Sequence, residues 1–288
     1  MAFPFPHHNA APECDTHAGR FDELYPANAG ARFDPSLWFA DRSTPDVLYD
    51  YEGHPNGEYD GWTHLTCPAR CRCRGCGRRG FSRSDPLIIA VDGACLGNGT
   101  ANARAAVGVW FGEGDGELGS IHNVSRVTTD TTNQQAEISA AIAALKRYKK
   151  IVADDVRDHD RVIILKSDSA YLVNGIATHM PTWKTNGWLN ANGQPVANKE
   201  LWQNLDARVR SAKRNGTRVL FWHVRRNWNT LADALAKDAL LPENSPLKYK
   251  HVKDAREDYI DEHEEWKEDY VALCEALGYV PPERHEGH

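Results

Sequence analysis

No stretch of this sequence offers the roughly eighteen consecutive apolar residues that a membrane-crossing helix requires. Its opening, MAFPFPHHNAAPECD, has neither the basic start nor the continuous apolar run of a secretory leader. Both absences lead to the expectation of a soluble, intracellular protein without a membrane partner, nucleus and cytoplasm being equally open. No self-similarity recurs at solenoid periods, which excludes a stacked-repeat architecture. A regular, even cysteine set is missing as well. Of the seven cysteines, four crowd between Cys67 and Cys76, while Cys14, Cys95 and Cys274 are scattered. That pattern excludes a secreted disulfide framework and fits a reducing compartment. Finally, the chain lacks an excess of positive charge, its formal net charge being −6. This deficit is local: residues 251–269 hold nine Asp or Glu against three Lys or Arg. The remainder is neutral, and because local field matters more for binding than the total, net charge does not exclude a nucleic-acid partner.

What is present is enough for one well-buried core and a smaller module: 288 residues, 41% of them hydrophobic, with nine Trp. Residues 1–63 are rich in Pro, Gly, Asn, Asp and His and keep no helical or strand period, so they read as irregular or wrapped around the neighbouring domain. Residues 64–84 form a Cys/Arg-rich segment with six Arg and no acid between Cys67 and Arg83. From 85 to 241 the pattern becomes regular. LIIAV (87–91) reads as a strand covered on both faces. AVGVWF (106–111) and LGSIHNV (118–124) flank the turn-rich GEGDG and suggest a hairpin. Thr132 or Asn133 caps a helix whose apolar positions Ile138, Ile142, Leu145 and Tyr148 form one stripe. A strand at 162–166, a short helix over 171–176, a Trp-containing loop, a helix near 198–214, a strand at 218–224 and a helix at 229–240 follow. This order predicts an α/β fold with a five-stranded mixed sheet flanked by helices, plus the small Cys/Arg-rich module. Residues 242–288 read as an acidic, helical extension, most simply a solvated amphipathic helix on the domain.

Four acids stand in informative settings: Asp92 in IIAVDGACLGNG, Glu137 in TTNQQAEISAAIAAL, Asp168 in VIILKSDSAYLVNGI and Asp233 in NTLADALAKDAL. Singly, each has a bland explanation as a turn, a cap or a solvated helical acid. If the strands at 87–91 and 162–166 are parallel neighbours, however, Asp92 and Asp168 emerge together where open α/β sheets place ligands. Clustered carboxylates suit Mg²⁺, a hard cation that takes oxygen ligands and binds substrate phosphate. Two such ions about 3.5–4 Å apart activate a water and stabilise the leaving oxygen of an in-line displacement.

In their order and surroundings these motifs resemble the type 1 ribonuclease H family, over about 155 residues. The resemblance implies an endonuclease that hydrolyses the RNA strand of RNA/DNA hybrids, leaving 5′-phosphate and 3′-hydroxyl ends. It assigns Asp92, Glu137, Asp168 and Asp233 to two Mg²⁺ ions, with Mn²⁺ as substitute, and requires no protein nucleophile. Asn98, Asn133 and Gln134, with backbone near Cys95, are implied to read the 2′-hydroxyl. Residues 174–200 resemble the protruding helix and loop that grips the DNA strand. Tyr171 and Trp183 are assigned to that channel, and Thr132 and Asn198 to a phosphate pocket. Lys184 is a candidate for meeting phosphate, although Trp183 and Trp188 could equally pack inward. Asp130 departs from the pattern, because an acid there repels phosphate. A second departure is the direct run His223-Val224-Arg225-Arg226-Asn227-Trp228-Asn229 where cellular members carry a longer Gly-rich loop with a His. Arg225 and Arg226 are expected to contact phosphate in its place, and His223 to be structural. The alternative function is a nucleic-acid-binding module that keeps the fold and cuts poorly or not at all.

Cys67, Cys71, Cys73 and Cys76, near His64, could enclose one structural Zn²⁺. The spacing contains a single Cys-x-x-Cys, so unliganded thiols or a disulfide remain the alternative. The interleaved arginines make the same segment a candidate accessory phosphate binder.

Overall fold

The computed structural model describes residues 25, 30–38, 52–53, 63–65, 86–112, 122–153 and 161–256. The cysteine cluster at 67–76 and the acidic stretch beyond residue 256 lie outside the described residues. Five strands build the centre: β3 (Leu87–Leu96), β4 (Arg104–Trp110), β5 (Val124–Thr128), β6 (Arg161–Ser167) and β7 (Thr217–His223). Before them come a short helix, α1 (Pro35–Trp38), and two two-residue strands, β1 (Glu52–Gly53) and β2 (His64–Leu65). β4 pairs antiparallel with β3 and β5, whereas β6 pairs parallel with β3 and β7. The result is the mixed order β5-β4-β3-β6-β7.

The five-stranded mixed sheet stands at the centre as expected, and among the described residues β1 and β2 extend it, β1 pairing with β2 and β2 with the start of β3. Of the strand expected over 118–124, residues 118–121 lie outside the described residues; within the described part β5 begins at Val124. Asn123 stands just before it: its side chain accepts from the amides of Phe111 at 2.6 Å and Gly112 at 3.3 Å and donates to the Gly112 carbonyl at 3.0 Å. These bonds tie the start of β5 to the residues that follow β4.

The helices are α2 (Asn133–Ala153), α3 (Ala170–Asn174), α4 (Met180–Thr185), α5 (Lys199–Arg214) and α6 (Thr230–Leu240). A π turn over Gly175–His179 joins α3 to α4, so the predicted helix over 171–176 is the start of a longer helical run. Thr132 caps α2 by accepting from Gln135 N at 3.2 Å, and Gln135 reaches back to Thr131 N at 2.9 Å. On one sheet face Ile89, Val91, Ile163, Leu165, Val219 and Phe221 pack with α2, α3 and α5 around the fully buried Trp202. On the other, α6 covers Ala90 and Trp110, while Tyr25, Phe33 and Leu65 cover Ile88, Ile164, Leu220 and Trp222. Phe33 N donates to Phe221 O at 2.8 Å and Phe221 N to Ala31 O at 2.7 Å, so residues 31–33 run along the β7 edge. An open strand edge presents unpaired backbone groups, and this segment covers one.

Two glycines set how closely the helices approach. A Cβ on Gly93 would overlap the backbone of Ala136 and Glu137 in α2, and one on Gly108 would overlap Ala232 and stand 2.6 Å from Ala236 N in α6. Gly108 is the cross-strand partner of Asp92. Both helices thus touch the sheet at the level of Asp92.

Candidate active site

Each acid is delivered by a different element. The last β3–β6 pair is Ala90 with Lys166, so two residues further along each strand stand Asp92 and Asp168. Asp168 follows the end of β6. Asp92 lies where β3 parts from β6 but continues beside β4 to Leu96, so it sits within a strand rather than at its end. Ser169, not Asp168, caps α3 by accepting from Leu172 N, which leaves the Asp168 carboxylate for the site. Glu137 comes from the beginning of α2, beside the Gly93 contact, and Asp233 from the first turn of α6, beside the Gly108 contact.

Asp92 and Glu137 are 5% and 7% exposed, which is costly for carboxylates. Burial pushes Asp92 well above the ordinary carboxylate range, and the charges of Glu137, Asp168 and Asp233 push it further. Glu137 is raised to about 8, first by burial and then by Asp168, with the Gly93 amide and Arg226 opposing. Asp92 thus feels the charge of all three other acids, and Glu137 that of Asp168 and Asp233.

Protein groups hold several of their oxygens. Asn229, 1% exposed, donates its amide to Asp168 Oδ1 at 2.8 Å and to the Val91 carbonyl at 3.0 Å. Asp233 is held by Arg226 at 3.4 Å and Lys237 at 2.5 Å. Asn133 donates to Glu137 Oε1 at 3.4 Å, while Glu137 Oε2 is buried without a hydrogen-bond partner. Among the described residues no three His, Cys, Asp or Glu side chains stand closely enough to hold an ion as they are. The donor set nonetheless fits a hard divalent cation: it consists of carboxylate oxygens, one of them orphaned, in a buried site where positive charge is undersupplied.

The expected substrate side chains fall into three groups. Asn98 accepts from Asn133 N at 3.0 Å, which ties the β3–β4 turn to the start of α2; Gln134 is exposed beside it and Cys95 half-buried. Asn198, in the left-handed conformation that Asn tolerates (φ 59), accepts from Gln135 at 3.3 Å and donates to the Tyr171 hydroxyl at 3.1 Å. Thr132, Asn198 and Tyr171 are so brought together. Asp130 accepts from the Thr128 hydroxyl at 2.8 Å. In the third group, half-buried Trp183 stacks on His179 and leans on Trp188 and Trp202, with centroids 5.6, 6.3 and 5.6 Å away. Lys184 is paired with Asp206 at 2.9 Å, as is Arg210.

The two loop arginines separate. Arg225 lies over the Trp228 ring at 5.6 Å, and Arg226 alone reaches the acids. His223 is exposed, with Nε2 3.3 Å from the Asp168 carbonyl. Sequence reasoning missed Asn229, Asp206 and Lys237. Asn229 belongs to a motif that was recognised, yet its buried bridge to Asp168 leaves no periodic signal. Asp206 and Lys237 depend on partners distant in space or one helical turn away.

Among the described residues no helix is long and apolar enough to cross a membrane. The RNase H family model matches residues 84–241. Ribonuclease H of Rhodopseudomonas palustris strain BisB5 is 37% identical over 157 residues, covering 54% of this chain and 92% of that protein. Ribonuclease H of Clostridium botulinum strain Hall is 35% identical over 157 residues, covering 54% and 95%. Among solved structures, RNase H1 of the halophilic archaeon Halobacterium salinarum is 30% identical, covering 53% of this chain and 96% of that one, with a TM-score of 0.34. The matched span contains all four acids with their surrounding motifs, and the chain belongs to the type 1 ribonuclease H family.

Proposed function

We propose that this ribonuclease H hydrolyses the RNA strand of RNA/DNA hybrids as an endonuclease, with Asp92, Glu137, Asp168 and Asp233 holding two Mg²⁺ ions. The observation that carries the reading is the convergence of four carboxylates from four elements, two of them buried and held above their ordinary pKa first by that burial and then by the charges of neighbouring acids. When bound, the ions supply an activated water and charge stabilisation at the scissile phosphate, and Mn²⁺ can replace Mg²⁺. The chain's own groups do the rest. Asn229 fixes the Asp168 carboxylate from behind. Asn98, Asn133 and Gln134 present amide donors and acceptors on the side where a 2′-hydroxyl would lie. Tyr171, Trp183 and the Thr132–Asn198 corner offer flat faces and polar groups to the DNA strand. Water adds to phosphorus as the bond to the 3′ oxygen breaks, leaving a 5′-phosphate and a 3′-hydroxyl. Arg226, released from Asp233, becomes available to the cleaved phosphate.

Labelled hybrid, duplex RNA, duplex DNA and single strands, each with and without Mg²⁺, test this. Cleavage of the hybrid's RNA only, and only with metal, is expected. Tight hybrid binding without cleavage would instead identify a binding module that keeps the fold.

We also propose that Cys67, Cys71, Cys73 and Cys76 enclose one zinc ion in a module spanning residues 64–84. Support comes from its flanks: His64 pairs with Leu87, so a Cys-rich segment of about twenty residues is closed at its base by the sheet, as a compact metal module requires. About one zinc per chain is expected from metal analysis. No zinc, with all four thiols freely titratable in native protein, would remove the idea.

A further inference from the structure

The family match ends at residue 241, one residue beyond α6, but the chain stays on the domain. Residues 242–249 form successive turns and residues 250–256 are helical. Three contacts hold this segment to α6. Asp238, 1% exposed, accepts from Tyr249 N at 2.5 Å. Lys248 lies 3.6 Å from the Asp238 carboxylate and donates to the Asp238 carbonyl at 3.3 Å. Val252 is fully buried in a small cluster with Ala90 and Trp110 of the sheet and Leu231, Ala232, Ala234 and Leu235 of α6, with Ala255 packed against it. Tyr249 takes a left-handed backbone (φ 65), a conformation disfavoured for a bulky side chain and retained where surrounding contacts enforce it. The segment is therefore docked with a defined geometry, at some cost in local strain.

That cluster includes the residues on either side of Asp233. We infer that residues 242–256 are a brace for the catalytic site, and that Asp238, Lys248 and Val252 are positioning residues acting on Asp233 through α6. On the sheet side α6 is seated on Gly108, and along its length the brace prevents rotation or sliding that would carry Asp233 away from Asp92 and Asp168. The inference rests on the reading of Asp233 as a metal ligand. Groups that orient metal ligands affect ion affinity more than they affect the chemistry itself.

The test uses the full chain and the variants Lys248→Met, Val252→Ala and Val252→Ile. Mn²⁺ and Mg²⁺ binding is measured by calorimetry without substrate, and hybrid cleavage is followed across Mg²⁺ concentrations. Lys248→Met and Val252→Ala are expected to raise the half-saturating Mg²⁺ concentration roughly threefold to tenfold. At saturating Mg²⁺, kcat and the KM for hybrid should stay within about twofold of wild type. Val252→Ile, which keeps the branched shape, should restore ion affinity. Variants that melt earlier yet bind ions as wild type does would show a purely stabilising segment and overturn the inference alone. Should Val252→Ala fail to fold, Lys248→Met, which keeps the length and apolar stem of the side chain, decides by the same ion-binding criterion. A wild-type protein that takes up no divalent ion would sink the reading of the acids and this inference with it.

Discussion

The acid centre and the helical stretch over residues 170–198 treat charge in opposite ways. In that stretch, ionic and polar groups are matched within the protein: Lys184 and Arg210 share Asp206, Asn198 is held by Gln135 and Tyr171, and Trp183 rests against three aromatic rings. At the acid centre, buried carboxylates face like charges, and Arg226 and Lys237 offset only Asp233 closely. One region is matched internally; the other carries negative charge that, under the proposed function, bound cations would offset. Surfaces that recognise shape benefit from rigidity, whereas a site for cations must carry uncompensated negative charge before the ions arrive.

The strongest way to break this comparison is to remove the frustration. Asp92→Asn or Asp168→Asn should lower hybrid cleavage about a thousandfold or more, since each deletes a metal-ligand charge while keeping side-chain shape. Hybrid binding should change little, and metal-free Asp92→Asn should melt several degrees higher than wild type. Near-normal cleavage by either variant would end the metal assignment. Trp183→Ala comes next, with hybrid KM rising roughly tenfold through lost stacking and a lower melting temperature because Trp202 loses a neighbour. Unchanged KM would make Trp183 purely a packing residue.

A third effect is in pH. Glu137 has its folded pKa raised from 4.5 to about 8, so the folded protein holds this proton more tightly than the unfolded chain does. Stability contributed by the protonated form is fully present below about 4.5 and is lost as pH rises through about 8. Metal-free protein should therefore melt earlier at pH 8.5 than at pH 5 by roughly several degrees, with added Mg²⁺ reversing the trend. Equal melting across that window would show that the acids are not strained. Fourth, the short loop lacks a histidine to assist product departure, so the first turnover should outpace later ones and appear as a pre-steady-state burst. Arg226→Ala should slow steady turnover a few fold and leave single-turnover cleavage closer to wild type, while Arg225→Ala should chiefly loosen the Trp228 contact. A single-turnover rate no faster than the steady rate would rule this out. The smallest effect is expected at Lys184→Ala: its charge is already paired, so hybrid affinity and its salt dependence should shift by about twofold or less.

Much of this was legible in the sequence because the determining signals are local. LIIAV and VIILK announce buried strands by apolar continuity, a cap at Thr132 or Asn133 announces α2, and the acids carry neighbours that fix their setting. Long-range contacts left no such trace. The Asn123 side chain ties Phe111 and Gly112 to the start of β5, and no alternation in the sequence could reveal it. Residues 25, 33 and 65 complete the second core from a region whose composition reads as irregular, because isolated aromatics bury one at a time without a period. The pairing of Lys184 with Asp206, one α5 turn beyond Trp202, likewise left no local signal.

The two missing methyl groups at Gly93 and Gly108 bear on the proposed metal site. Each helix rests on strand backbone at a point adjoining its acid, so a methyl inserted there would displace the helix and its carboxylate together. Mg²⁺ accepts only near-octahedral oxygen placement at about 2.0–2.1 Å, whereas Ca²⁺ tolerates looser and more variable shells. With Glu137 and Asp233 as the proposed ligands, such a shim would cost Mg²⁺ more than Ca²⁺, from two positions outside the carboxylate set.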